Sequence, residues 1–342
     1  MSSNVTLKEI AKELGLSTMT VSRAINKKEN VGEKTRKRVL EKAKSMGYTP
    51  NFLAKGLVSK KTFSIGLVIP EISHSFFPEV LKGVEEVTYK KNYQLILTHS
   101  AENFEREMEA IETLRSKRVD GIMVSSSQRT TDHSFYESLK ESETPFVFFD
   151  RCIEGLGVSC ISVNDKIGSK KITQHLIDHG YEKIAHLSGP IDVSIGKERF
   201  QGFKEALREN GLTLFPELVI AAGFQEADGR RAMQELLSMP EQKWPRAVFA
   251  VNDPAAFGAI EVILEKGLSI PDDIAIVGFS DDIRAELLST PLTTVQQPAY
   301  QVGKKAAEKL ISIIDGEDVR PENIEILTEL VIRSSCGNHS SK

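Results

Sequence analysis

Thr18, Thr20, Ser22 and Arg23 put three hydroxyls and a guanidinium within six consecutive residues, interleaved with the apolar Met19 and Val21. No base, carboxylate or thiol stands among them, so they do not suit covalent chemistry. They suit hydrogen bonding to phosphate oxygens and base edges, and arginine favours the O6 and N7 of guanine. Met19 offers only apolar contact, to a thymine methyl or to a core. A second group closes the run FVFF: Asp150 and Arg151, where a carboxylate suits two hydroxyls of a sugar or an interdomain ion pair. Other candidates fall away. His175 and His179 have a metal-binding spacing, but the residues between them are Leu-Ile-Asp and no third ligand is apparent, so they read as histidines near a helix C-terminus. Ser188 in HLSG lacks the glycines on both sides that a nucleophile elbow needs, and Gly155-Leu-Gly157 is too isolated for a dinucleotide loop. No enzyme constellation, metal site or cofactor site is expected.

The polar face of Thr18–Arg23 must be held by something. In Leu7–Leu14 the apolar residues Leu7, Ile10, Ala11 and Leu14 fall on one helical face. Gly15 can end that helix in a left-handed conformation, and Ser17 can cap a second helix over Thr18–Asn26. Two short helices across a Gly turn suit the major groove of DNA, and the same spacing fits an ordinary helical hairpin with a solvated face. A third helix is expected over Glu33–Met46, with Val39, Leu40, Ala43 and Met46 at helical spacing amid six basic side chains; Gly47 closes it and Pro50 bars its continuation. The three helices share one small cluster: Val5, Ile10, Leu14, Val21, Ile25, Val39, Leu40 and Tyr48. After Asn51 comes a two-turn helix with Leu53, Ala54, Leu57 and Val58, too short to persist alone. It is either a greasy linker or a segment that folds against a partner, with Leu57 as a wedge between base steps.

At 342 residues two or three domains are expected. The net charge of −4 hides an asymmetry: through Lys61 there are 14 Lys and Arg against 5 Asp and Glu, a net of +9, which leaves −13 for the rest. A basic head on an acidic body points to a head that meets polyanion. No segment approaches the ~20 apolar residues of a membrane span, and MSSNVTLKEI has no signal core. Cys152, Cys160 and Cys336 are odd in number with no paired spacing, which favours a reducing cytoplasm over a disulfide framework or zinc knuckle.

From Thr62 onward strands and helices alternate. Strands are expected at Phe63–Pro70, Tyr93–Thr98, GIMVS, Phe146–Phe149, Val158–Val163, KIAHLSG, Ala247–Asn252 and Ile274–Phe279. Helices are expected at Pro78–Lys91, Phe104–Ser116, Ser134–Lys140, Asp165–His179, Ser194–Asn210, Pro254–Lys266 and Val302–Ile314. This order implies two doubly wound parallel sheets in series, with ligands gathering in the cleft at the strands' carboxyl ends.

VTLKEIAKELGLSTMTVSRAIN followed by VGEKTRKRVLEKAKSMGYTPNFLAKGL resembles the DNA-binding head and hinge helix of the LacI/GalR family of bacterial transcription regulators. The resemblance implies base-reading positions at Thr18, Met19 and Arg23. It implies phosphate or register contacts from Thr6, Leu7, Ser17, Thr20, Ser22, Asn26, Asn30, Thr35 and Tyr48. Asn51, Ala54, Lys55 and Leu57 match the hinge helix that enters the minor groove. The body resembles the family's effector-binding domain, which shares its fold with periplasmic sugar-binding proteins. The implied fold is an all-α helix-turn-helix head plus hinge helix, joined to an α/β periplasmic-binding-protein-like type I domain of two doubly wound parallel-sheet subdomains. The implied boundaries are 1–50 for the head, 51–61 for the hinge and 62–342 for the body. Its N-subdomain is about 62–162 plus 293–322, and its C-subdomain about 163–292 plus 323–335.

The same resemblance places effector residues. Phe76 and Phe77 match an aromatic pair at the cleft wall, Arg199 a ligand-binding arginine, Phe224 an aromatic that stacks on the sugar and Asn252 a ligand-binding asparagine, with Asp253 capping the next helix. VGFSDD departs from the pattern: Ser280 stands where many relatives carry Asp, and Asp281 is the available substitute. CGNHSSK lacks the Leu-rich heptad tail of tetrameric members, so a homodimer is expected. The expected function is a cytoplasmic bacterial repressor, nucleoid-associated when bound. It would act as a dimer on a palindromic operator in double-stranded DNA, with a sugar or sugar derivative as effector and no membrane contact. A purine, nucleoside or phosphoprotein corepressor is the alternative. A stand-alone sugar-binding protein and an enzyme on Rossmann-like sheets are weaker rivals, lacking an export signal and a catalytic set respectively.

Overall fold

Thr6 starts the first helix, α1 (Leu7–Leu14), by a reciprocal cap: its hydroxyl accepts from the Glu9 amide while the Glu9 carboxylate accepts from the Thr6 amide at 2.7 Å. The Thr6 amide and hydroxyl both donate to the Glu9 carboxyl and hold it below its ordinary range. Gly15, at φ 64°, ends α1 as expected, and Ser17 caps α2 (Thr18–Ile25) by accepting from the Thr20 amide at 3.1 Å. The third helix, α3 (Glu33–Ser45), is pinned to α1 by a Lys42–Glu13 pair at 2.8 Å. Ile10, Ala11, Val21, Ala24, Val39 and Ala43 form the core of this head, with Val5, Leu14, Ile25 and Tyr48 packed against it. Leu40, expected in the cluster, is exposed instead.

The computed structural model describes residues 5–26, 30–48, 61–128, 130 and 133–337. The chain divides into two units, Met1–Thr62 and Phe63–Lys342. No helix among the described residues is long and apolar enough to cross a membrane.

The second unit holds two lobes. The first runs β1 (Ser64–Ile69), α4 (Phe76–Lys90), β2 (Gln94–His99), α5 (Phe104–Ser116), β3 (Gly121–Val124), α6 (Ser134–Lys140), β4 (Phe146–Phe149) and β5 (Cys160–Val163). The second runs α7 (Asp165–Asp178), β6 (Ile184–Ser188), α8 (Ser194–Glu209), β7 (Val219–Ala221), α9 (Glu226–Ser238), β8 (Ala247–Ala250), α10 (Asp253–Glu265) and β9 (Ala275–Val277). β10 (Thr294–Gln296), α11 (Ala299–Ile314), β11 (Asn323–Ile326) and β12 (Glu329–Val331) follow. The larger sheet has the order β11-β5-β4-β3-β1-β2 and the smaller β7-β6-β8-β9, and all pairs within them are parallel. Strands such as β3 and β4 are buried along their whole length because helices cover both faces, which is why they read as continuous apolar runs. α11 returns to the first lobe as expected and crosses α4 closely. A Cβ on Gly83 would lie 2.0 Å from the Tyr300 carbonyl oxygen, and one on Gly303 2.0 Å from that of Val80.

Four expectations are corrected. Residues 323–326, assigned to the second subdomain, pair with β5 in the first lobe's sheet, Asn323 in register with Cys160. Residues 293–296, assigned to the first, instead bridge to 277 and 280 beside β9 and pair antiparallel with β12. β7 and α9 had no expected counterpart. Cys152 and Cys160, expected to be free thiols, form a disulfide, because the chain returns from β4 to the neighbouring β5 and brings their Cα atoms within 6.0 Å.

Candidate functional site

In the head, the same helix periodicity that buries Val21 and Ala24 turns Thr18, Met19 and Arg23 outward. Met19 is 63% exposed, an apolar side chain with no place in the core. The Ser17 and Thr20 hydroxyls bond each other at 2.8 Å, and the Asn26 amide nitrogen donates to the Ser22 carbonyl at 2.9 Å, so α2 is fixed at both ends. Thr6 and Asn30 are exposed; Leu7, Thr20, Ser22, Thr35 and Tyr48 are half-buried. Asn51, Ala54, Lys55 and Leu57 lie outside the described residues.

In the body, Asp150 ends β4 at φ 59° and is buried beside Arg151. Burial pushes its carboxyl up, Arg151 and Arg199 pull it down, and Glu102 raises it again. The Arg151 guanidinium donates to both Glu102 carboxylate oxygens at 2.8 and 2.9 Å and sits over the Phe224 ring at 4.5 Å, joining the lobes by a cation–π contact. Arg199, on the first turns of α8, is only 2% exposed. It donates to Asp165 at 2.7 Å and to the Val251 carbonyl at 2.8 Å, and stacks over Phe279 at 3.8 Å. Burial pushes Asp165 up to about 7 against the pull of Arg199.

Phe76 and Phe77 open α4 rather than preceding it and meet edge to face at 5.2 Å; Phe77 is core. Phe224 is buried. Asn252, not Asp253, caps α10, accepting from the Ala255 amide at 2.9 Å while donating to the Phe224 carbonyl at 2.9 Å. Asp253 is instead a buried anchor: it accepts from the Thr294 hydroxyl at 2.6 Å and the Asp282 amide at 2.7 Å, and burial pushes it up to about 6. Ser280 and Asp281 both adopt positive φ. The Asp281 carboxylate, expected to replace the missing clamp, pairs with Arg333 at 2.8 Å and accepts from Gln296 at 2.9 Å.

Sequence reasoning missed the residues that join the lobes on the side of Phe76. The Ser75 hydroxyl donates to Asp282 at 3.0 Å, and His74 Nε2 lies 3.1 Å from the Gln225 side-chain oxygen. Glu71 shapes that turn by accepting from the Ser73 and His74 amides. Burial works against the ionised Asp282, but bonds from the Arg284 amide and side chain and from Ser75 hold it below its ordinary range. The doublet Asp281-Asp282 was the visible signal, and its two carboxylates take different partners, Arg333 and Gln296 for the first and Ser75 and Arg284 for the second. A cavity of about 440 Å³ opens beside Asp150, lined among others by Cys152, Cys160, Asp165, Ser194 and Glu198; of the expected effector residues only Asp150 reaches it.

A capped helix-turn-helix head carrying polar side chains outward, followed by a two-lobed α/β body with a polar interlobe seam, is the architecture of a DNA-binding regulator. The comparisons agree. A model of the lacI family of bacterial regulatory proteins matches residues 6–51, and one of periplasmic binding protein-like domains matches 173–336. The chain is 35% identical over 333 residues to the HTH-type transcriptional repressor PurR of Aliivibrio fischeri, covering 97% of this chain and 98% of that protein. It is 32% identical to catabolite control protein A of Priestia megaterium, covering 97% and 99%. The transcriptional regulator CelR in its cellobiose complex matches with a TM-score of 0.74 at 31% identity, over 97% of this chain and 100% of that one. The lac repressor dimer bound to operator and the anti-inducer ONPF matches with a TM-score of 0.87 at 24% identity over 98% and 100%, a likeness of fold. The chain belongs to the lacI family of bacterial regulatory proteins and is a DNA-binding transcriptional repressor.

Proposed function

We propose that this repressor works in the cytoplasm as a homodimer, reads a palindromic operator with half-sites about one helical turn apart, and answers to a small sugar or sugar derivative held between its lobes. The observation that carries the DNA reading is the outward face of α2, where an exposed Met19 has no structural role to explain it. Thr18, Met19 and Arg23 contact base edges. Thr6, Leu7, Ser17, Thr20, Ser22, Asn26, Asn30, Thr35 and Tyr48 hold phosphates and register, and Asn51, Ala54, Lys55 and Leu57 enter the minor groove. Footprinting on genomic DNA tests this; the expected result is a symmetric protected site, and an asymmetric one refutes it.

The effector reading rests on Asp150 and Arg151, a buried carboxylate and guanidinium at a strand's carboxyl end, the carboxylate lining a cavity and the guanidinium covering Phe224 across the seam. A carboxylate takes sugar hydroxyls and an aromatic face takes the ring. Phe76, Phe77, Arg199, Asn252, Ser280 and Asp281 complete the site. The relative solved with cellobiose supports a sugar. Thermal-shift measurements with a panel of sugars, sugar phosphates and purines decide the class: the expected stabiliser is a sugar, and stabilisation by a purine alone replaces it with the alternative.

A further inference from the structure

Cys152 comes directly after the Asp150–Arg151 pair, and Cys160 opens β5; the bond between them staples the whole β4–β5 loop. That loop is where the first lobe grips α8 of the second. The Cys152 amide donates to the Ser194 hydroxyl at 3.1 Å, and Glu154 pairs with Lys197 at 3.0 Å. Both cysteines line the 440 Å³ cavity and neither is fully buried, so a small thiol or disulfide has a way in. Cys336, by contrast, is fully buried. A protein that works on bacterial DNA shares a compartment whose thiol reductants keep most cysteines reduced, and disulfides there are as a rule transient or sensing.

We propose that Cys152 and Cys160 are a reversible thiol–disulfide site that sets how firmly the β4–β5 loop clasps α8. The reactant is a low-molecular-weight disulfide. One protein thiolate attacks it and expels a small thiolate, leaving a mixed disulfide; the second protein thiolate attacks the protein-bound sulfur, forms the Cys152–Cys160 bond and expels the other small thiolate. Two electrons pass from the cysteines to the small disulfide, and the two protons they lose are taken up by the small thiolates. Small thiols in excess run the sequence backwards. In the oxidised form the loop is closed covalently and the contacts to Ser194 and Lys197 persist; in the reduced form its ends keep their places through β4, Arg151 and β5, but the loop between them loses that closure.

The full chain, treated with oxidised or with reduced glutathione, tests this. Alkylation and mass spectrometry are expected to find both Cys152 and Cys160 blocked after oxidation and both open after reduction, with Cys336 unchanged. Amide exchange across 152–158 and 194–197 is expected to be roughly fivefold or more slower in the oxidised form. The Cys152→Ser/Cys160→Ser variant, with loop exchange matching the reduced protein, should not respond to either treatment. Two thiols that stay open after oxidation, or exchange that agrees within about twofold between the two forms, overturn the proposal. Its bearing on repression rests on the lobe coupling proposed above. Affinity for a duplex selected by the protein from a random library, measured on the same two samples, separates the two: unchanged affinity beside changed exchange refutes the coupling and leaves the clasp supported.

Discussion

Replacing Arg199 with alanine tests whether this residue is first an anchor, and the cost can be worked from its contacts. The guanidinium is 2% exposed, donates to Asp165 and to the Val251 carbonyl, and covers Phe279. Its removal leaves a carboxylate and a carbonyl buried without a partner, which costs about 3–5 kcal/mol near neutral pH. The cost also acquires a pH dependence whose sign is fixed. Asp165 has a folded value of about 7 against an ordinary 3.8, so between those values the folded state holds a proton the unfolded state has lost, and stability falls as pH rises. In the natural protein that fall ends near pH 7. Without Arg199 the pull on Asp165 toward ionisation is gone and its folded value rises further, so the fall continues. The gap between natural protein and variant should therefore widen by about 1 kcal/mol for each pH unit above 7. Urea denaturation at pH 6, 7 and 8 measures it, with Arg199→Ala/Asp165→Asn as the control in which the widening disappears. A gap that stays constant with pH would refute the buried pair as the source of the cost. An effector-induced thermal shift that survives in the variant would take Arg199 off the ligand site as well.

Ser17→Ala removes the cap of α2 and should cost about 1 kcal/mol, read by calorimetry as a lower melting temperature for the head's own transition, with the body's unchanged. Arg23→Ala should relax operator preference at one base pair by about 1–3 kcal/mol in a binding selection; a loss spread evenly over the site would put Arg23 on the backbone instead. Gly83→Ala should destabilise the first lobe by about 1–3 kcal/mol in denaturant, since the new methyl meets the Tyr300 carbonyl, a backbone atom that cannot swing away. An unchanged midpoint there would mean the two helices slide apart freely.

The head was legible almost residue by residue because its signals are local. A left-handed glycine and a Ser cap act within four residues, and the structure uses Gly15 and Ser17 in those roles; the Thr6–Glu9 capping box, equally local, was not anticipated. The long buried strands were legible for the same reason. What was not legible is short or non-local. β7, β10 and β12 have three residues each, too few for any periodicity, and they are set by the strands beside them. The lobe to which 323–326 belongs is decided by pairing with Cys160, more than 160 residues earlier in the chain. At the seam the same holds. Arg151 finds Glu102, Arg199 finds Asp165 and Ser75 finds Asp282 across separations of 49, 34 and 207 residues. Resemblance located Arg199 and Asn252 but not the protein groups that occupy their hydrogen bonds. The cysteines showed no paired spacing in the sequence, because the bond between Cys152 and Cys160 follows from β4 and β5 being neighbours, which only the sheet order supplies.

Those occupied hydrogen bonds constrain how an effector can act under the proposed mechanism. The closed seam already holds Ser75 to Asp282, His74 to Gln225 and Arg151 to Phe224. A ligand shifts the lobes only by the difference between its affinities for the two arrangements, and typical couplings are about 1–3 kcal/mol. A neutral hydrogen bond is worth roughly 0.5–1.5 kcal/mol net, one to a charged group about 1.5–3 and a cation–π contact about 0.5–2, so the three together are at least the size of the coupling itself. The ligand therefore has to keep most of them and add its own bonds to Asp150, or replace Phe224 under Arg151 with something that binds the guanidinium at least as well. A hydroxylated ring satisfies the first condition if it bonds Asp150 from the cavity beside it, which none of Ser75, Asp282, Arg151 and Phe224 lines. An anion satisfies the second by binding the Arg151 guanidinium in place of the Phe224 ring, in competition with the Glu102 carboxylate that already holds it.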